Sequence, residues 1–136
     1  MPVTRQQVID AARAYLGVRF HHQGRCRAGL DCAGLLVCVA RDLGISTACD
    51  WSNYPRIPDG AAMQRTLDNC GARRVEAFRP GDFVLMRFNG QPQHIAIVTD
   101  RGIIHSYLAA RRVVEHGLDG IWRARIVAAY SFEGVE

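Results

Sequence analysis

"HIAIVTDRGIIHSY", residues 94–107, decides the fold of this 136-residue chain. Two runs rich in β-branched residues flank Asp100-Arg101, the pattern of an antiparallel hairpin. With a two-residue turn, Thr99 opposes Gly102, Ile97 opposes Ile104 and Ala96 opposes His105. Side chains two apart on a strand share a face. His94 and His105 are therefore diagonal neighbours on one face, within side-chain reach. Ile95, Ile97 and Ile104 point to the other face. A slip of one residue would separate the two imidazoles.

The pattern repeats outward from this hairpin. "DFVLMRF" (82–88), "RRVVEH" (111–116) and "RARIVAAYSF" (123–132) are further strand-like runs. The first half of the chain reads differently. Thr4 caps a helix, with Gln7 completing a capping box. Val8, Ala12, Tyr15 and Leu16 form its apolar stripe, and Gly17 ends it. A second helix runs from Asp31 to Gly44, with Leu35, Leu36, Val39, Ala40 and Leu43 at helical spacing. After an irregular stretch, "ISTACDWSNYPRIPDG" (45–60), Asp59 caps a third helix that closes at Gly71. Helices first and strands afterwards imply an α+β fold. N-terminal helices pack on a mainly antiparallel sheet of about five strands, in a single domain over residues 1–136.

The second helix begins "DCAGLL", with Cys32 in its first turn. Helix N-termini favour a thiolate through their free N–H groups and dipole. A nucleophilic cysteine also needs a base, brought close by the fold. His94 is the candidate base. His105 is the candidate orienter that fixes the His94 tautomer. In this scheme a Cys32–His94 ion pair holds the thiolate at neutral pH.

Composition narrows the alternatives. The net charge is +4, and all 17 basic residues are arginines, scattered along the chain. There is no basic helix face with interleaved aromatics, so nucleic acid is not an expected partner. No apolar run approaches the ~20 residues needed to cross a bilayer, and membrane insertion is not expected. Nor does the N-terminus read as a signal peptide. Five cysteines (Cys26, Cys32, Cys38, Cys49, Cys70) form no C-x-x-C pair. Neither a disulfide framework nor a metal site is expected, and no cofactor.

At these residues the chain resembles the NlpC family of papain-like cell-wall peptidases. "DCAGLLVCVARDLG" resembles that family's nucleophile segment and "RPGDFVLMRF" its G-D-L strand. "QHIAIVTD" and "IIHSY" resemble the strands carrying its catalytic His and its third polar residue. "FHHQGRCRAGLDCAGLL" and "PQHIAIVTDRGIIHSY" look closest to the phage-tail branch. The resemblance implies a Cys32, His94, His105 triad and a peptidoglycan stem-peptide substrate, cut between D-glutamate and a diamino acid. It gives Asp31 a role in binding a free amine on the stem. Two family hydroxyls are missing, at Ala33 and Phe20, and His22 or Gln23 could stand in as donors. It also implies synthesis in a bacterial cytoplasm, assembly with phage tail proteins, and action in the periplasm or wall. Two other readings fit the same residues: a papain-like amidase or acyltransferase on another substrate, and a tail structural part with weak or lost catalysis.

Overall fold

Thr4 opens the first helix as its spacing predicts. In the computed structural model, which describes residues 2–45, 62–68, 72–88 and 90–136, the Gln7 amide donates to Thr4 Oγ1 at 3.1 Å. The Thr4 amide donates back to Gln7 Oε1 at 2.8 Å. Helix α1 runs Arg5–Arg13 and buries Val8, Ile9 and Ala12. The chain then turns, so Tyr15 is still buried but Leu16 is 44% exposed. Leu16 thus falls off the expected stripe, and Ile9 takes its place, because the helix ends before the 3.6-residue period reaches Leu16.

A small hairpin, β1 (Arg25–Cys26) and β2 (Gly29–Leu30), leads into helix α2 (Cys32–Asp42). Asp31 caps α2 by accepting the Gly34 N–H at 2.8 Å. Helix α3 covers Ala62–Asp68. Its expected cap Asp59 and stop Gly71 lie outside the described residues, as do Cys49, Cys70 and most of the 45–60 stretch. Six strands follow: β3 (Arg73–Val75), β4 (Phe83–Phe88), β5 (Gln91–Thr99), β6 (Gly102–Tyr107), β7 (Arg112–His116) and β8 (Ile126–Ser131). They form one antiparallel sheet in the order β3-β8-β4-β5-β6-β7. A one-turn helix, α4 (Gly120–Arg123), links β7 to β8. The fold is α+β, as expected, with β3 added at one edge.

The sheet is apolar on both faces, which explains why β4 and β5 read as nearly continuous hydrophobic runs. Phe83, Leu85, Ile95, Ile97, Ile104 and Tyr130 pack with Val8, Ala12, Leu35, Leu36 and Val39 beneath the helices. Val84, Met86, Ala96, Val98, Ile103 and Ala129 form a second core on the other face, closed by Phe78, Phe88, Leu118 and Trp122. Alternating parity assigns each residue to its face, as the pleat requires.

One glycine fits the first helix to this sheet. A Cβ on Gly81 would lie 2.7 Å from the Arg5 Cβ, and its φ of +96° is one that L residues rarely adopt. Gly81 therefore lets α1 approach β4. The adjacent Asp82 is buried and accepts from Arg5 Nη1 and Ser131 Oγ, each at 2.5 Å. The "GD" pair is thus a structural clamp joining α1, β4 and β8.

Candidate active site

The β5–β6 hairpin has the expected register: Thr99 pairs with Gly102, Val98 with Ile103 and Ile97 with Ile104. From there the two strands separate. Residues Gln91–Ala96 continue pairing with β4, while His105–Tyr107 continue pairing with β7. The start of α2 enters this split. The Leu30 carbonyl accepts the Ser106 hydroxyl at 2.7 Å, tying the residues before Cys32 to β6. The Ile95 N–H lies on the other side, near enough to favour a Cys32 thiolate. The nucleophile candidate therefore rests against the backbone of the residue that follows His94.

His94 and His105 lie on one face, as the register requires. His94 Nε2 and His105 Nδ1 are 2.6 Å apart. Both rings are buried, at 6% and 0% exposure. Aromatic neighbours hold their planes: Phe88 stacks on His94 at 4.4 Å between centroids, and Tyr107 stacks on His105 at 5.0 Å. Trp122 meets His105 edge-on at 5.2 Å. Because His105 occupies Nε2 of His94, Nδ1 is the ring nitrogen not engaged in this pair.

Burial sets the charge state of this pair. Desolvation pushes the Cys32 thiol up to about 12, and the neighbouring Asp31 carboxylate adds to the rise. N–H groups of Ile95, Ala33 and Cys32 itself pull the other way. Desolvation also lowers His94 to about 3, with the charges of Arg125 and His116 acting in the same direction. His105 falls to about 2 through burial, then through His94 and His116. Both shifts run against the expected resting ion pair. Desolvation of this kind favours a neutral thiol and a neutral imidazole, with Cys32 itself half-buried.

The remaining expected residues sit in the loop before α2. Asp31 is 3% exposed and its oxygens are occupied by the protein. Besides the Gly34 N–H, it accepts the Gln23 N–H at 2.8 Å and Arg25 Nη1 at 3.2 Å. Gln23 has a φ of 62°, and Asp31 holds its backbone in that turn. His22 is half-buried in the same loop. Ala33 is 1% exposed and packs in the helix-side core, so a hydroxyl there would bear on packing. Phe20 is half-buried and bridges Leu30.

One residue of the site was not expected. His116 Nε2 lies 2.8 Å from His105 Nε2, extending the pair to a chain of three imidazoles. It closes β7 opposite Ile103, the same diagonal relation that joins His94 to His105. The register rule would have found it, but the β6–β7 connection hides the register. It contains a 3₁₀ turn, Leu108–Ala110, followed by Arg111 at φ 63°. Among the described residues no group of three or more His, Cys, Asp or Glu is arranged to hold a metal ion.

Comparisons with known proteins agree with this fold. The sequence model of the NlpC/P60 family matches residues 17–131. No curated protein matches the chain. An NlpC/P60 family protein from Bacillus cereus ATCC 10987 superposes with a TM-score of 0.71 at 22% identity, over 97% of this chain and 41% of that one. The NlpC/p60 domain of the peptidoglycan hydrolase SagA gives 0.66 at 19% identity, covering 96% of this chain and 100% of that one. The peptidoglycan hydrolase RipB from Mycobacterium tuberculosis gives 0.59 at 19% identity, over 93% and 63%. The chain spans less than half the length of the Bacillus cereus protein, and the likeness to these structures is one of fold.

Proposed function

This chain belongs to the NlpC/P60 family, and on that footing we propose that it is a cysteine peptidase that cleaves peptidoglycan stem peptides through Cys32, His94 and His105. One observation carries the reading. The Ile95 N–H lies near enough to Cys32 to favour its thiolate, while the preceding residue, His94, is bonded through Nε2 to His105. His94 Nδ1 takes the thiol proton as sulfur attacks the scissile carbonyl carbon. The tetrahedral intermediate collapses, His94 returns the proton to the departing amine, and a thioester remains on Cys32. Water, deprotonated by His94, then hydrolyses that thioester and restores the thiol. Because burial favours the neutral pair, proton transfer accompanies attack.

The finer reading follows the sequence resemblance. The bond is that between D-glutamate and the diamino acid, and the setting is a phage or prophage tail that breaches the wall. Asp31 pins the Gln23 turn in the loop before Cys32.

The test is incubation of the purified chain with isolated sacculi, followed by mass spectrometry of the released fragments. Cleavage at the D-glutamyl bond is expected. Cys32→Ala and His94→Ala should each abolish it while leaving the thermal unfolding transition intact. EDTA should leave turnover unchanged. Retained turnover in Cys32→Ala would overturn the mechanism.

A further inference from the structure

We infer that His116 is a positioning residue that sets the tautomers of the imidazole chain and so leaves His94 Nδ1 free to act as a base. The inference rests on the peptidase reading for its catalytic meaning, and on hydrogen-bond polarity for its content. His116 Nδ1 lies 3.0 Å from the Gly117 carbonyl oxygen. A carbonyl can only accept, so Nδ1 carries the hydrogen. While His116 is neutral its ring has one N–H, and its other nitrogen is an acceptor. His116 Nε2 must then accept from His105 Nε2, 2.8 Å away. That gives His105 its hydrogen on Nε2 and a lone pair on Nδ1. His94 Nε2, at 2.6 Å, donates into that lone pair. His94 is left with a bare Nδ1.

The direction matters because the chain has only two consistent orders. Reversing every bond would place the hydrogen on His94 Nδ1, where it would block transfer from the thiol. The pair His94–His105 alone does not choose between these orders, since each ring can donate or accept. The Gly117 carbonyl is the one partner in the chain with a fixed role, and His116 transmits it. The rings cannot turn over easily to escape the order. Trp122 lies against both His105 and His116, with centroids 5.2 and 4.8 Å away.

Tautomers are read directly by long-range ¹H–¹⁵N spectra of uniformly labelled protein at pH 7.5. In the wild-type chain, His94 and His105 should both show a protonated Nε2 and an unprotonated Nδ1. In His116→Gln the amide oxygen can still accept from His105, so the tautomers should persist and kcat should stay within about threefold. In His116→Lys the ammonium can only donate. His105 should then shift its hydrogen to Nδ1, and kcat should fall on the order of tenfold or more with KM nearly unchanged. A wild-type His105 protonated on Nδ1 would overturn the inference, whether or not either variant folds. So would an unaltered His105 tautomer in folded His116→Lys. Failure of the peptidase reading is seen separately, as turnover that survives Cys32→Ala.

Discussion

Acid should weaken this fold through its two buried imidazoles. In the unfolded chain each titrates near 6.5. In the native state burial lowers His94 to about 3 and His105 to about 2. Between those limits the unfolded state binds protons that the folded state refuses, so stability rises with pH and falls as pH drops below about 6.5. At pH 5 each imidazole still neutral in the fold costs about 2 kcal/mol relative to the unfolded chain, against about 0.2 kcal/mol at pH 7. The pair together removes roughly 3–4 kcal/mol, a large share of the 5–15 kcal/mol typical of a domain.

Urea unfolding at pH 7.0, 6.0 and 5.0 measures this. With a slope of about 2 kcal/mol per molar, the midpoint should fall by somewhat under 2 M from pH 7 to pH 5. The window stops at pH 5 because Asp100 and Glu115, held below the usual carboxylate range by hydrogen bonds from Arg13, add their own losses at lower pH. The control is His94→Gln combined with His105→Asn. Its midpoint at pH 7 is free to differ, but its pH dependence should shrink by the share of both imidazoles. An unchanged wild-type midpoint across this window would refute the reasoning, as would an equal slope in the double variant.

Three further outcomes are expected. Gly34→Ala would place a Cβ 2.1 Å from the Gly24 carbonyl oxygen, and the loop before α2 must shift; thermal unfolding should show a loss of about 1–3 kcal/mol. Asp82→Ala would leave Arg5 and Ser131 without their shared acceptor in a buried setting, costing about 3 kcal/mol by urea unfolding. Limiting iodoacetamide at pH 7 should modify exposed Cys26 before Cys32, whose thiol burial pushes up to about 12; peptide mass mapping that finds Cys32 labelled first would restore the resting ion pair.

The parts of the fold legible in the sequence are those set by local rules. Thr4 and Gln7 announce a capping box through their spacing. The Asp100-Arg101 turn fixes the β5–β6 register, and with it the meeting of His94 and His105. What was not legible depends on longer connections. His116 joins the site through the β6–β7 register, which a 3₁₀ turn and a left-handed Arg111 obscure. The upward push on the Cys32 thiol comes from desolvation where the start of α2 meets two separating strands, with the residue itself half-buried. A helix start alone suggests a thiolate, whereas the desolvation that accompanies this placement favours the thiol.

These two surprises belong together. A resting ion pair would hold its own polarity, because a charged His94 carries hydrogens on both nitrogens and needs no tautomer chosen for it. A neutral pair does need one. If the thiol keeps its proton until attack, the base must present a lone pair at the right nitrogen before substrate arrives. His105 is itself a neutral imidazole able to bond in either sense, so it cannot supply the choice that a carboxylate would make by being an acceptor only. The direction has to come from a group of fixed role. In this fold it comes from a backbone carbonyl at the end of β7, passed through His116 and His105 to His94. The third imidazole therefore supplies what burial of the first two makes necessary.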